Sequence, residues 1–452
     1  LVLVWTVLLE FDEGIALFVT AFTGPIFVAT VCLLILGLRR FGLPHAPPGV
    51  HHLRSRLGVE KWFADKLLEA SLMYTNTLYS TLFTPMWLRK LGARIGPRAE
   101  VSTIANIDPD LLVIGSESFV ADMASVGSAT YCNGHVAFRP TTVATRAFVG
   151  NASFVPSGSH LGSDSLLGVG STPPVDGVPE GSSWLGSPSI YLPRRELFDQ
   201  FGEEQTFRPK QWQIAARYTI EFLRIVLPSS ILALSMFGTL HFTGVVASSD
   251  DRPLWVVVLA MPAIALAMSL VVVVAVALLK WLVVGRYKPR VEPLWSFFVR
   301  RSEFVTGVFE ASAVPALLQI LTGTPMLGPL LRLYGVKVGR RSLLDTTYIT
   351  EFDLVRIGDD AIIGSNVSLQ THLFEDRVMK MNVVNVEDRV TVGSRSVVLY
   401  DTHVREEALL APLTLVMKGE ELPAGTAWAG IPAQPAIRVV RPAASNEAEV
   451  KA

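Results

Sequence analysis

The residues best suited to chemistry fall in one stretch, Ser-Leu-Gln-Thr-His372-Leu-Phe-Glu375-Asp376-Arg377-Val-Met-Lys380. An imidazole with an unperturbed pKa of about 6.5 can take a proton from an attacking amine near neutral pH. Carboxylates at Glu375, Asp376, Glu351 and Asp353 would orient such a ring or hold a cationic amine. His372, Glu375 and Asp376 are therefore the catalytic candidates. Glu351, Asp353 and Asp345 are candidates for binding substrate, as are Arg377 and Lys380, whose charges suit a phosphate or a carboxylate. A plainer reading stands beside this one: a single His among acids and bases often belongs to a surface network. Acids at 351 and 353 could equally bond backbone at chain corners.

Other motifs carry less. His372 to Asp376 spells H-x-x-x-D, but the doubled His of condensation-type acyltransferases is absent. His51-His52 is followed by no acid four residues on, which suggests a solvated or headgroup-facing role. No phosphate-binding loop, dinucleotide fingerprint or metal cluster is spelled out in the sequence. Cys32 and Cys132 are too few for a disulfide framework or a zinc finger. Cys32 reads as a small membrane-facing residue, and Cys132 has no evident base partner.

The elements that must position these residues are unusual. Half of the 452 residues are hydrophobic and only 17% are charged, against roughly a quarter in soluble domains. The net charge of -1 excludes a bulk nucleic-acid binder. The uncharged run 1–9 is too short to cross a bilayer, which takes about 20 residues, and reads as the tail of a longer span. A full span follows at 15–38 with Arg39-Arg40 as its basic stop. A second pair comprises a weaker span near 219–246, containing Glu221 and Arg224 one turn apart and able to pair, and a strong one at 256–279. The short turns are acidic (Glu10, Asp12, Glu13; Asp250, Asp251) and the opposite ends basic, which places both long polar regions in the cytoplasm.

Those polar regions repeat each other. IANIDPDLLVIGSESFV (104–120) matches TYITEFDLVRIGDDAII (347–363), Asp110 against Asp353, with 353 − 110 = 243. The shift pairs Gly96 with Gly339, Gly115 with Gly358, Arg146 with Arg389 and Val155 with Val398. Helical collars at 57–83 and 293–322 precede each polar region. Within each copy, apolar residues recur every six positions, as at Val386, Val392, Val398, Val404, Leu410 and Val416, often followed by Gly. Neither a strand (period two) nor a helix (3.6) produces that pattern. It predicts a left-handed parallel β-helix of hexapeptide repeats, whose stacked coils bury one core. From Leu369 to Val386 the interval is 17 residues, so the sixfold phase breaks where His372 lies. In the first copy the shift turns His372 into Ala129, Glu375 into Cys132, Asp376 into Asn133, Arg377 into Gly134, Lys380 into Ala137 and Asp345 into Ser102. That copy reads as degenerate, with His135 and His160 structural.

The phrases YITEFDLVRIGDD, QTHLFEDRVMK and WAGIPAQ, set in β-helices that alternate with membrane hairpins, resemble the carboxy-terminal membrane region of poly-lysine-synthetase-type nonribosomal peptide synthetases over nearly the whole chain. The resemblance implies aminoacyl transfer from a carrier thioester to a free amine. It implies no directly bound cofactor, the phosphopantetheine arm of a carrier domain being the group presented, with Arg377 and Lys380 the candidates to meet its phosphate. Upstream adenylation and carrier domains and a third β-helix would be partners, with a bilayer around the helices and a cationic amino acid as one class of amine. Three β-helices on one side of the membrane could then build the three-fold arrangement of hexapeptide acyltransferases from a single chain. An acyl-coenzyme A-dependent O- or N-acyltransferase, suggested by the GIPA stretch at 430–433, and a non-catalytic scaffold that docks a carrier domain are the alternatives. The expected organisation is a transmembrane hairpin (1–40, first helix truncated), collar and first β-helix (41–215), a second hairpin (216–285), collar and second β-helix (286–440), and a disordered tail (441–452).

Overall fold

The computed structural model describes residues 13–42, 45–193, 200–248 and 253–436. The run 1–9, most of both acidic turns and the tail 441–452 lie outside them.

Gly follows the inward apolar residue because the coils stack too closely for a side chain. A Cβ on Gly115 would lie 2.4 Å from the backbone nitrogen of Thr145, and one on Gly358 would lie 2.5 Å from that of Asp388. The corner residue two or three places on takes positive φ, as in Arg146 (57°) and its repeat partner Arg389 (56°). Serines close the same corners. Ser118 and Ser165 donate to the carbonyls of Gly115 and Gly162, both at 2.7 Å.

Each copy consequently forms three sheets of stacked parallel strands, the pattern of a β-helix. In the first, Ile95, Ile114, Val143 and Leu161 lie in register on one face, and Val101, Val120, Val149 and Leu167 on another. In the second, Val338, Ile357, Val386, Val404 and Leu422 do the same. Apart from the half-buried Val338, these inward residues are almost wholly buried and form the core.

One coil in each copy is longer than the rest. Ile357 pairs with Val386, 386 − 357 = 29 residues on, whereas Val386 pairs with Val404 after 18. Ile114 and Val143 are likewise 29 apart. The extra 11 residues make a hairpin: Thr130–Cys132 with His135–Phe138 in the first copy, His372–Glu375 with Val378–Met381 in the second. The broken phase at His372 is therefore an insertion common to both copies.

Among the described residues, three helices are long and apolar enough to cross a membrane: Gly14–Phe41, Glu203–Ala247 and Leu254–Val283. Glu221 and Arg224 do not pair with each other. The regular helix begins at Gln211, and Arg217, Glu221 and Arg224 lie on a face of it that is buried in protein. There Arg217 binds Glu100 at 2.7 and 2.8 Å and Glu221 at 2.6 Å, while Arg224 donates to the carbonyls of Tyr79 and Ser80. Arg217 also lies under the Trp295 ring, 4.8 Å from its centre. Burial pushes the Glu100 carboxyl up, but the facing Arg217 outweighs it and the net shift is downward.

The chain divides into two compact units. One comprises residues 1–284, 292–317 and 376–378; the other comprises 285–291, 318–375 and 379–452. Cys32 is half-buried and packs against the core of the first unit rather than facing lipid alone. His51 and His52 form a strand, Gly49–His52, paired antiparallel with His135–Phe138, in which His52 is exposed and His51 half-buried. The rings of His52 and His135 lie 4.2 Å apart.

Candidate functional site

In the second copy, Thr371 follows the strand Ser368–Gln370 of the long coil and His372 begins the hairpin. Glu351 lies one coil earlier, in left-handed backbone (φ 37°), and is 1% exposed. That turn aims its carboxylate at the start of the hairpin. Glu351 Oε2 accepts from His372 Nδ1 at 2.7 Å and from Thr371 Oγ1 at 2.6 Å. The same hydroxyl lies 2.9 Å from the Thr350 carbonyl and 3.1 Å from Thr350 Oγ1. Burial pushes the Glu351 carboxyl up, but His372 and then the hydroxyls of Thr371 and Thr350 more than offset this, so it is held below the usual carboxylate range.

The consequence is chemical. A buried carboxylate on Nδ1 fixes the tautomer with the proton on that nitrogen and leaves Nε2 as an acceptor. About a quarter of the His372 side chain is exposed, enough to be reached. The Phe374 ring stands edge-on to the imidazole at 5.5 Å and limits its tilt. The arrangement is that of an oriented general base.

The other sequence-selected residues have different tasks. Glu375 is held by Lys418 at 2.7 and 2.8 Å and by Lys380 at 3.1 Å, with Lys380 itself buried. Asp376 occupies a left-handed position of the hairpin turn (φ 48°). Arg377 does not stand open to a substrate phosphate. It is 2% exposed, donates to the carbonyls of Arg98 and Ser118, and lies 4.9 Å from the centre of the Phe207 ring. Its guanidinium is pushed down to about 10, chiefly by burial. Asp353 accepts from the backbone of Tyr287 at 3.0 Å and would sit 2.5 Å from a Cβ on Gly335. Its repeat partner Asp110 accepts from the backbone of Ala46 and pairs with Arg39. Both therefore tie the chain leaving a long apolar helix to the β-helix. Asp345 is half-buried beside Gly323, 3.6 Å from where its Cβ would be.

The first copy holds a different pair at the matching place. Asp108, the partner of Glu351 under the shift, binds Lys61 Nζ at 2.8 Å, and Lys61 also reaches Asp65 at 2.5 Å. Tyr131, matching Phe374, donates to Asp65 at 3.2 Å. Ala129, matching His372, packs against a small apolar cluster with Val136 and Phe138. Among the described residues no group of three His, Cys, Asp or Glu is placed to hold a metal ion. Sequence reasoning did not find Thr371, Thr350, Lys418 or Lys61. The one available signal was that a hydroxyl recurs at the repeat positions Ser128 and Thr371.

No family model matches the chain. It is 40% identical over 400 residues, 88% of its length, to a delta-poly-L-ornithine synthetase of Acinetobacter baumannii (strain AB307-0294). The match covers 30% of that protein, so the chain spans less than a third of this relative. The resemblance to poly-amino-acid synthetases therefore holds over nearly the whole chain. Among solved structures, a hexapeptide-repeat-containing acetyltransferase from Vibrio cholerae matches 26% of the chain at 16% identity with a TM-score of 0.23. The same enzyme complexed with acetyl coenzyme A matches 27% at the same identity and score.

Proposed function

We propose that this chain is a membrane-embedded aminoacyl- or acyltransferase module of a nonribosomal peptide synthetase, with its chemistry in the second β-helix. The observation that carries the reading is the buried Glu351 carboxylate seated on Nδ1 of a reachable His372. His372 Nε2 takes a proton from the attacking amine as nitrogen adds to the thioester carbonyl. The C–N bond forms, the C–S bond breaks, and the proton passes from the imidazole to the departing thiolate. Glu351 stays ionised throughout and stabilises the imidazolium.

In this reading both β-helices are left-handed domains on the cytoplasmic side of a multi-pass plasma-membrane protein. The acyl group arrives on the phosphopantetheine arm of an upstream carrier domain, beside an adenylation domain and a third β-helix. The amine is of the cationic amino-acid class, in keeping with the poly-ornithine synthetase it resembles. Glu375 and Asp376 act by fixing the hairpin that carries His372 rather than by moving protons. The test is His372→Ala in the full-length protein, reading amide formation from a preloaded carrier. A loss of about 10²–10⁴ in rate is expected; turnover like the wild type would refute the assignment. Transfer from acyl-coenzyme A without any carrier would favour the coenzyme A-dependent alternative instead.

A further inference from the structure

We infer that the collar helix Arg56–Tyr74 is a lipid-binding element, seated in the headgroup layer of the leaflet next to the first β-helix and favouring anionic lipid. The inference rests on the membrane reading of the long helices.

The helix has two faces. Lys61, Ala64, Leu67, Leu68 and Ser71 are buried. The opposite stripe, Arg56, Val59, Trp62, Lys66, Glu69 and Met73, recurs every three or four residues and is exposed. Its apolar members are open to a degree that a water-facing helix rarely shows: Val59 is 64%, Trp62 59% and Met73 75% exposed, with Tyr74 at 52%.

The position of the helix along the membrane span identifies what covers that stripe. A Cβ on Gly42, at the end of the helix Thr23–Phe41, would lie 2.6 Å from the Phe63 ring, so the Trp62 turn is level with the end of the span. From there the helix runs back beside the span. Leu67, Leu68, Leu72 and Tyr79 join one core with Ile35, Cys32 and Val28. Just beyond the helix, Thr77 donates to the Ile225 carbonyl of a second span at 3.0 Å. From Gly42 back to Cys32 is 42 − 32 = 10 residues, about 15 Å of helix, which covers a headgroup layer and reaches the hydrocarbon border.

The exposed stripe is thus continuous with the exposed face of the span itself, where Leu33, Leu34, Leu38 and Phe41 are 69%, 57%, 44% and 89% exposed. Arg40, Arg54, Arg56 and Lys66 are exposed around it. Glu60 and Glu69 answer Arg56 and Lys66, at 2.8 and 2.6 Å, which leaves the cations in excess. Trp62 at the headgroup level, Met73 and Tyr74 deeper, and Arg40, Arg54 and Arg56 at the rim are the features of an interfacial helix, with Lys66 and Glu69 paired to each other between the two levels.

The test uses full-length protein in bilayer nanodiscs, with Cys32 and Cys132 replaced by Ser and one spin label at a time at position 34, 62, 73 or 175. Collision with oxygen reports lipid, and collision with a water-soluble nickel chelate reports solvent. Labels at 62 and 73 should follow the span label at 34, not the solvent control at 175. The label at 62 should move toward solvent in Arg56→Glu/Lys66→Glu when anionic lipid is present. Labels at 62 and 73 that behave like 175, while 34 stays in lipid, would overturn the inference and leave the membrane reading intact. Shielding of 62 and 73 from both reagents would mean a protein covers the stripe and would also overturn it. A solvent-exposed label at 34 would sink the membrane reading with it.

Discussion

Two carboxylates stand at one position of the repeat, and their partners give them different chemistry. In the second copy Glu351 faces His372; in the first, Asp108 faces Lys61. Both carboxylates are buried, and both lie beside an inserted hairpin of the same length. An imidazole can take up and return a proton. The Lys61 ammonium cannot: burial works against its charge, but Asp108 and Asp65 outweigh that and hold its pKa above the ordinary range. In both copies the fold supplies a buried acid next to a hairpin, and on the function proposed above the residue set against that acid decides what the site does.

That contrast can be broken from either side. The largest effect is expected from Lys61→Met, which strands a buried carboxylate and should cost about 3–5 kcal/mol. Denaturant unfolding should register it, while amide formation by the folded fraction stays unchanged. A fall in rate without a fall in stability would give the first copy a chemical role. In the second copy, Glu351→Gln keeps the shape but removes the charge that fixes the tautomer, and should slow amide formation by roughly 10²-fold with little change in KM. Thr371→Val should cost about tenfold, because the carboxylate loses one of the donors that aim it, and Thr371→Ser should restore the rate. Equal rates for the Val and Ser variants would deny Thr371 any positioning role. The smallest effect is on stability against pH. Since the folded Glu351 pKa lies below its unfolded value, near ~4.3, the stabilisation is full above that value and is lost as pH falls through the folded pKa. Acid titration of Glu351→Gln should lack that component of the wild-type curve.

Much of the architecture was legible because it is periodic. The sixfold apolar spacing and the 243-residue shift place Ile114, Val143, Ile357 and Val386 on stacked inner faces without any contact information. The site was legible only in outline. His372 stood out because it interrupts the period, and Glu351 was one of four carboxylates named for it; which of the four reaches the ring was not legible, since Glu351 does so through a left-handed backbone turn that no glycine announces. Arg377 looked like a surface cation in a charged turn; it is buried because Phe207 and the carbonyls of Arg98 and Ser118 receive it, 259 or more residues away in sequence for the carbonyls. Glu221 and Arg224 misled for a related reason. Spacing of three suggests a pair, but Arg217 and the Leu82 backbone N–H take Glu221, and the carbonyls of Tyr79 and Ser80 take Arg224.

The most direct measurement of the central claim is a double-mutant cycle on His372 and Glu351, read as single-turnover amide formation. If the two act as one unit, His372→Ala and His372→Ala/Glu351→Gln should be equally slow, because the carboxylate has nothing left to orient. Rate losses that multiply, so that Glu351→Gln costs as much without the imidazole as with it, would contradict the account.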